Sequence, residues 1–212
     1  GAPGSVQVVD ITIPALPALP TFPTLGTIGV GNSPREITFS PDATLAFVTN
    51  NGSDSLSIID TINLSIVGTV NLGAGAAPVG LVAPNNSTFV LTANQGSNTI
   101  SVVDYVQATP GVVGTISIPF PNSGPTGLAA TSDGQLVFAS LINEGKVIVI
   151  NNTPGLPDFH SILAVLDIKT EATNLAFPAG PSGLGFSPAS SKLFVSFISE
   201  SGATPQGVIA IV

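Results

Sequence analysis

Residues 46–61, "AFVTNNGSDSLSIIDT", are two short apolar runs separated by a polar turn, and most of the stretch is written again at 92–104 as "TANQGSNTISVVD". Runs of Val, Ile, Leu and Phe bounded by Asn, Gly, Ser and Asp are the pattern of an antiparallel hairpin. A hairpin spelled twice points to a repeat, and the flanking sequence extends it. A proline opens each unit, at Pro34, Pro78, Pro125 and Pro181, so successive units are 44, 47 and 56 residues apart. That is the length of a propeller blade.

The first unit reads "REITFS", turn, "LAFVTN", turn, "LSIIDT", turn, "SIVGTVNLG"; the second repeats the order with "VGLVAP", "TFVLTAN", "TISVVDY" and "GVVGTISI". The third gives "TGLAAT", "LVFASL" and "KVIVIN" and then a longer tail with "SILAVLDI" and "TNLAF". The fourth gives "SGLGFS", "KLFVSF" and "GVIAIV" and lacks an outer strand. Near the start, "SVQVVDI" and "TLGTIGV" match the third and fourth strands of a unit. One four-stranded unit has two apolar faces it cannot bury alone, so units must stack side by side. The predicted fold is all-β, a small β-propeller of four-stranded antiparallel blades, four or five in number. If "TLGTIGV" fills the gap in the fourth unit, the ring closes at four blades and "SVQVVDI" is left over; a five-bladed ring needs that leftover strand to anchor a further, very incomplete blade.

The matching stretches "FSPDATLAFVTNNGSDSLSIID", "LVAPNNSTFVLTANQGSNTISVVD", "LAATSDGQLVFAS" and "LGFSPASSKLFVSF" resemble the YVTN family of β-propeller repeats. The resemblance runs from Pro34 to Val212 and is weak over the first 33 residues. It departs from the family pattern in the missing tyrosine of the second strand and in the long third unit. It implies a secreted or surface-layer protein. The chain divides on this reading into 1–33, an N-terminal strand and proline-rich arm, and 34–212, the propeller repeats.

Composition narrows the function. The 212 residues are 43% hydrophobic and only 8% charged, with four Lys or Arg against twelve acids and a formal net charge of −8. A packed core is affordable in a chain of this size and content. Phosphate binding needs clustered cations, so nucleic acid and anionic lipid are poor partners, and no apolar run approaches the length of a membrane helix. There is no Cys and no Met, and the chain begins Gly1-Ala2-Pro3, which reads as a processed form or a fragment. Few oxidisable side chains and few tryptic sites suit an exposed extracellular protein.

Candidate chemistry is sparse. The single histidine, His160, lies near Asp158 in the insertion "NNTPGLPDFHS", with no G-x-S-x-G elbow in the chain. It reads as a loop residue, and the expectation is no catalytic residue, no metal site and no cofactor. Asp60 and Asp104 are expected to cap turns through nearby backbone amides rather than bind calcium. Sequons fall at Asn51, Asn63, Asn85, Asn86 and Asn151, candidate glycan sites.

Two function classes follow. The first is a non-enzymatic structural protein of the cell surface or matrix, whose partners are copies of itself. The second is a secreted binding module for a glycan, peptide or small ligand; a lactonase-like hydrolase ranks below both. Ligand sites gather Trp, Tyr and Arg, and this chain has no Trp, one Tyr (Tyr105) and one Arg (Arg35), which favours the structural reading. "PALPALPTFP" at 14–23 reads as a stiff, extended spacer. A strand carried on it, with Val6, Val8, Val9, Ile11 and Ile13 as its apolar positions, is a candidate for donation to a neighbouring subunit, giving a head-to-tail filament; the alternative is that the arm folds back and seals its own propeller.

Overall fold

A computed structural model describes residues 3–11, 22–168 and 180–197, together with the backbone of strand 209–211. The chain is built of antiparallel sheets laid side by side. A hairpin of β1 (Pro3–Val9) and β2 (Thr24–Asn32) comes first. Blade one follows as β3 (Pro34–Phe39), β4 (Leu45–Asn50), β5 (Ser55–Asp60) and β6 (Ser65–Asn71). Blade two is β7 (Pro78–Val82), β8 (Phe89–Asn94), β9 (Thr99–Asp104) and β10 (Gly111–Ser117). Blade three is β11 (Pro125–Ala130), β12 (Leu136–Leu141), β13 (Lys146–Asn151) and β14 (Ile162–Asp167). Blade four has three strands, β15 (Pro181–Ser187), β16 (Lys192–Phe197) and β17 (Ile209–Ile211).

Each repeat proline is the first residue of its innermost strand, where the missing N–H costs no ladder bond. Pro34 pairs Asn50, Pro78 pairs Asn94, Pro125 pairs Leu141 and Pro181 pairs Phe197, and a register shift follows the proline in all four blades. The turns are held by short polar side chains. Asp42 Oδ1 accepts from the Ser40 hydroxyl at 2.6 Å and Thr44 N at 3.1 Å, and Asp133 Oδ1 does the same for Thr131 and Gln135. Asp60 caps Ile62 N and Asn63 N, each at 2.8 Å, and Asp104 caps Val106 N at 3.1 Å, the turn-capping role read from their positions.

The core lies between blades. Phe47, Leu56, Leu81 and Val90 fill the layer between blades one and two. Leu91, Val102, Leu128 and Ile148 fill the next, and Phe138, Val149, Leu193 and Val195 join blades three and four. Strand alternation makes this arrangement: successive residues of the second strand serve opposite interfaces, as Val90 and Leu91 do.

Two expectations need correction. "TLGTIGV" does not complete blade four. It is β2, and it pairs along its length with β1, while the third position of blade four is held by β17 against Leu193, Phe194 and Val195. Among the described residues, no packed interface of the kind that joins neighbouring blades links β15–β17 to β1, β2 or β3. The second correction concerns the arm. Asp10 N donates to Pro23 O at 3.0 Å, so the proline-rich segment connects two paired strands instead of carrying one away. Residues 12–21, which include Ile13, Pro14, Pro17 and Pro20, lie outside the described residues. Val6, Val8 and Val9 pair Ile28, Gly26 and Thr24 of the same chain, and Ile11 stands exposed beyond the strand. Local pairing wins because a hairpin closes a short loop, whereas ring closure must join residues nearly a whole chain apart.

Candidate functional site

Within a blade the inner strand comes first and the outer strand last, and β1 and β2 occupy the third and fourth positions of a blade whose two inner positions are empty among the described residues. The hairpin covers the outer part of blade one, with Ile28 against Ala46, Val48 and Ile59 and with Val6, Val8 and Val30 alongside. The inner part stays open. Ile37 is 45% and Phe39 53% exposed, and both line an apolar cavity of about 300 Å³ with Val6, Val9 and Leu64. Full burial of a Phe, Ile or Val side chain contributes about 1.5–3 kcal/mol, so leaving these bare forgoes several such increments. The backbone edge of β1 opposite β2 carries no strand partner among the described residues, and such an edge is a template for further pairing.

At the other end of the hairpin, a cavity of about 600 Å³ lies between Gly29 and Gly31 of β2 and Ser53, Ser55, Ser57, Thr69 and Asn71 of blade one. Its lining mixes these hydroxyls and the Asn71 amide with glycine backbone and the apolar Val30 and Ile66, and holds no charge. Behind it sits Asn50, fully buried, donating from Nδ2 to Ser55 Oγ at 3.2 Å and Ser57 Oγ at 2.9 Å, while its Oδ1 has no partner. The repeat shows why. In blade two Asn94 makes the same amide bonds to Thr99 and Ser101, and Thr92 Oγ1 donates to Asn94 Oδ1 at 3.0 Å; in blade one that place is Val48.

His160 belongs to neither feature. Its ring stacks on Phe159 with centroids 3.6 Å apart and meets the edge of Phe89 at 5.5 Å. Asn152 Nδ2 donates to Asn86 Oδ1 and Gly134 O, so Asn152 Oδ1 is the acceptor for His160 Nε2 at 3.1 Å. Burial pushes the imidazole down to about 4. Asp158 contributes its backbone carbonyl to Ser161 N. The neutral ring fastens the 152–161 insertion to the turn of blade two.

The sequons differ in access. Asn63 and Asn85 are exposed, with amides on Asp60 Oδ2 at 2.8 Å and Ser132 O at 3.2 Å. Asn86 is exposed but bonded to Asn152. Asn51 donates to Pro78 O at 3.2 Å across the first blade junction, and Asn151 is buried. No group of three His, Cys, Asp or Glu gathers in metal range among the described residues, and no described helix is long and apolar enough to cross a membrane.

Sequence reasoning missed Asp54. It closes the first hairpin turn at φ 49° and accepts from Gly75 N at 2.8 Å and Ala77 N at 2.7 Å, tying that turn to the connection entering blade two. Asn98, at the same repeat position, binds Ser123 N at 2.9 Å and Phe120 O at 2.7 Å. The recurrence of an Asx residue before the third strands of blades one and two was the available signal.

No family model matches the chain, and no curated protein matches it. Solved structures do. Hydrazine synthase of Kuenenia stuttgartiensis is 19% identical with a TM-score of 0.68, over 84% of this chain and 45% of that one. An unconfirmed 6-phosphogluconolactonase of Bacteroides uniformis is 15% identical, TM-score 0.64, over 85% and 54%. The β-propeller domain of Cps50 (Swd1) from Myceliophteria thermophila is 13% identical, TM-score 0.64, over 91% and 61%. The chain therefore spans about half the length of the structures it matches, and it shares the β-propeller fold with them.

Proposed function

We propose that the chain is a non-enzymatic structural protein of the cell surface or extracellular matrix, of the YVTN-repeat type, whose propeller copies associate with one another into head-to-tail filaments. The observation that carries this reading is the uncovered inner half of the first interblade slot, where Ile37, Phe39 and Val9 stand bare beside the free edge of β1. A chain with only 8% charged residues and no Cys or Met suits durable packing between copies in an oxidising space. Because β1 is held by β2, the donated unit is a hairpin and not a lone strand. Removing residues 1–24 tests it: electron microscopy and light scattering should show filaments replaced by soluble folded monomers, and unchanged polymers, or a wild type that is strictly monomeric, would end the proposal.

The uncharged cavity between β2 and blade one favours a second reading, a binding module for a neutral, hydroxyl-rich ligand such as a glycan, since its lining offers hydroxyls, amides and glycine backbone but no ion. Binding of neutral oligosaccharides, measured by calorimetry and lost in Ser57→Val, supports that alternative; absence of binding removes it.

A further inference from the structure

We propose that blade four of one copy docks on β3 of a second copy, so that β15 and β16 supply the inner strands missing beside β1 and β2 and the four together form one shared blade. This rests on the self-association proposed above and specifies its junction.

The repeat itself is the evidence, because three kinds of contact are shared between blade junctions: an apolar one at all three, a hydroxyl at the first and third, and a glycine at the second and third. Phe138 of blade three stacks on Phe186 of blade four, centroids 6.2 Å apart and planes 15° apart. Phe138 lies three residues before the partner of its blade's proline, and Phe186 five residues after its own. Those two places in the end blades are Phe194 and Phe39. Phe194 is 39% exposed while its equivalents Phe47, Leu91 and Phe138 are buried, and Ile37 is bare while its equivalents Leu81 and Leu128 are buried.

The second contact is a hydroxyl. Thr49 Oγ1 donates to Val79 O at 2.8 Å and Ser140 Oγ to Ser182 O at 3.1 Å, in each case the carbonyl just after the next blade's proline. Ser196 holds this place in blade four. It accepts from Gly183 N at 3.1 Å as Ser140 does from Gly127 N, but among the described residues it meets no next-blade carbonyl. The corresponding carbonyl of β3 is that of Arg35.

The third is a glycine. A Cβ on Gly80 would strike Thr126 O, and one on Gly127 would strike Ser182 O, so these two stay glycine to let the next blade approach. Gly183 occupies the same place, and the only atoms a Cβ there would meet are in the Ser196 side chain. Blade four thus carries all three features of a blade that has a successor, and β3 carries the matching features of a blade that has a predecessor. Among the described residues β3 is the one proline-led inner strand left uncovered, and no packed interface joins it to blade four of the same chain. A second copy fits. Docking places β1 on the edge of β16 now held by the three residues of β17, so the longer β1 displaces that short strand.

The absence of cysteine gives a clean test. Phe39→Cys and Phe194→Cys, each at an exposed side chain, are mixed and treated with a short bismaleimide. The mixture should give a covalent two-chain product at least ten-fold above either variant alone; a mixture no better than the single variants overturns the junction. A double variant that consumes both thiols within one chain overturns it too, showing self-closure. Gly183→Ala, whose Cβ pushes aside the Ser196 hydroxyl of its own blade, should still fold and should weaken association at least ten-fold; a folded variant that associates as wild type does counts against the proposal. Filaments without the mixed product sink this junction and leave self-association standing. The mixed product in a closed two-copy ring keeps the junction and ends the filament reading, and no association at all ends both.

Discussion

Asn50 and Asn94 show how one methyl-for-hydroxyl difference leaves a buried acceptor orphaned. Thr92→Val should copy the blade-one defect into blade two and cost about 1–2 kcal/mol, the penalty of an unmet buried polar atom. Val48→Thr should do the reverse and raise the melting temperature by about 2–4 °C, the usual yield of about 1 kcal/mol in a chain of this size; a fall on Val48→Thr contradicts the account. His160 makes stability depend on pH with a definite sign. Its folded pKa is about 4 against about 6.5 when unfolded, so between those values the unfolded chain binds the extra proton. Denaturation midpoints should therefore fall as pH is lowered from about 6.5 to about 4, and this part of the fall should vanish in His160→Phe. Hydrogen-bonded Asp42, Asp60 and Asp133, held below the usual carboxylate range by their turn partners, lose their contribution only at still lower pH. In a glycosylating host, added mass should map to Asn63 and Asn85 and not to Asn151, because the enzyme needs an accessible amide.

Blades are joined by more than apolar contact. The 3-10 turn and Asp54 after β4 reach forward to the segment entering β7, and Asn98 repeats this from blade two. Asp54→Ala should lower stability by about 2 kcal/mol, the scale of hydrogen bonds made by a charged group, with chemical denaturation as the readout; Asp54→Asn should retain part of it. The hairpin of β1 and β2 was legible as two strands of the third and fourth kind, since their alternation matches later units. That they pair with each other was not legible, because any strand with this pattern satisfies β1, β2 or β16 equally well. The proline-rich run was misread for a related reason. Prolines fix local backbone, but they do not say whether the chain beyond returns, and the Asp10–Pro23 bond shows that it does.

Assembly of these blades should resist salt. The interblade faces are apolar and each copy carries a formal net charge of −8, so raising NaCl from about 0.05 to 0.5 M screens repulsion between copies without removing attraction. Light scattering should show association unchanged or stronger, and a loss at high salt would point to ion pairing instead. The repeat period, the strand order within each blade, the proline entries and the turn-capping aspartates were all readable from the residues. Each depends on contacts within about fifty residues of chain, and the two-residue alternation and turn chemistry encode such contacts directly. What the three-dimensional structure alone decided is which repeat positions are covered: Ile37 and Phe194 are bare while their equivalents Leu81, Leu128, Phe47, Leu91 and Phe138 are buried, and Gly183 and Ser196 keep their interblade form without meeting a next-blade carbonyl among the described residues. Those residues are as apolar or as small as their covered counterparts, so the sequence does not set them apart. Burial is set by which sheet lies alongside, and that is a property of the assembled stack and not of any local pattern.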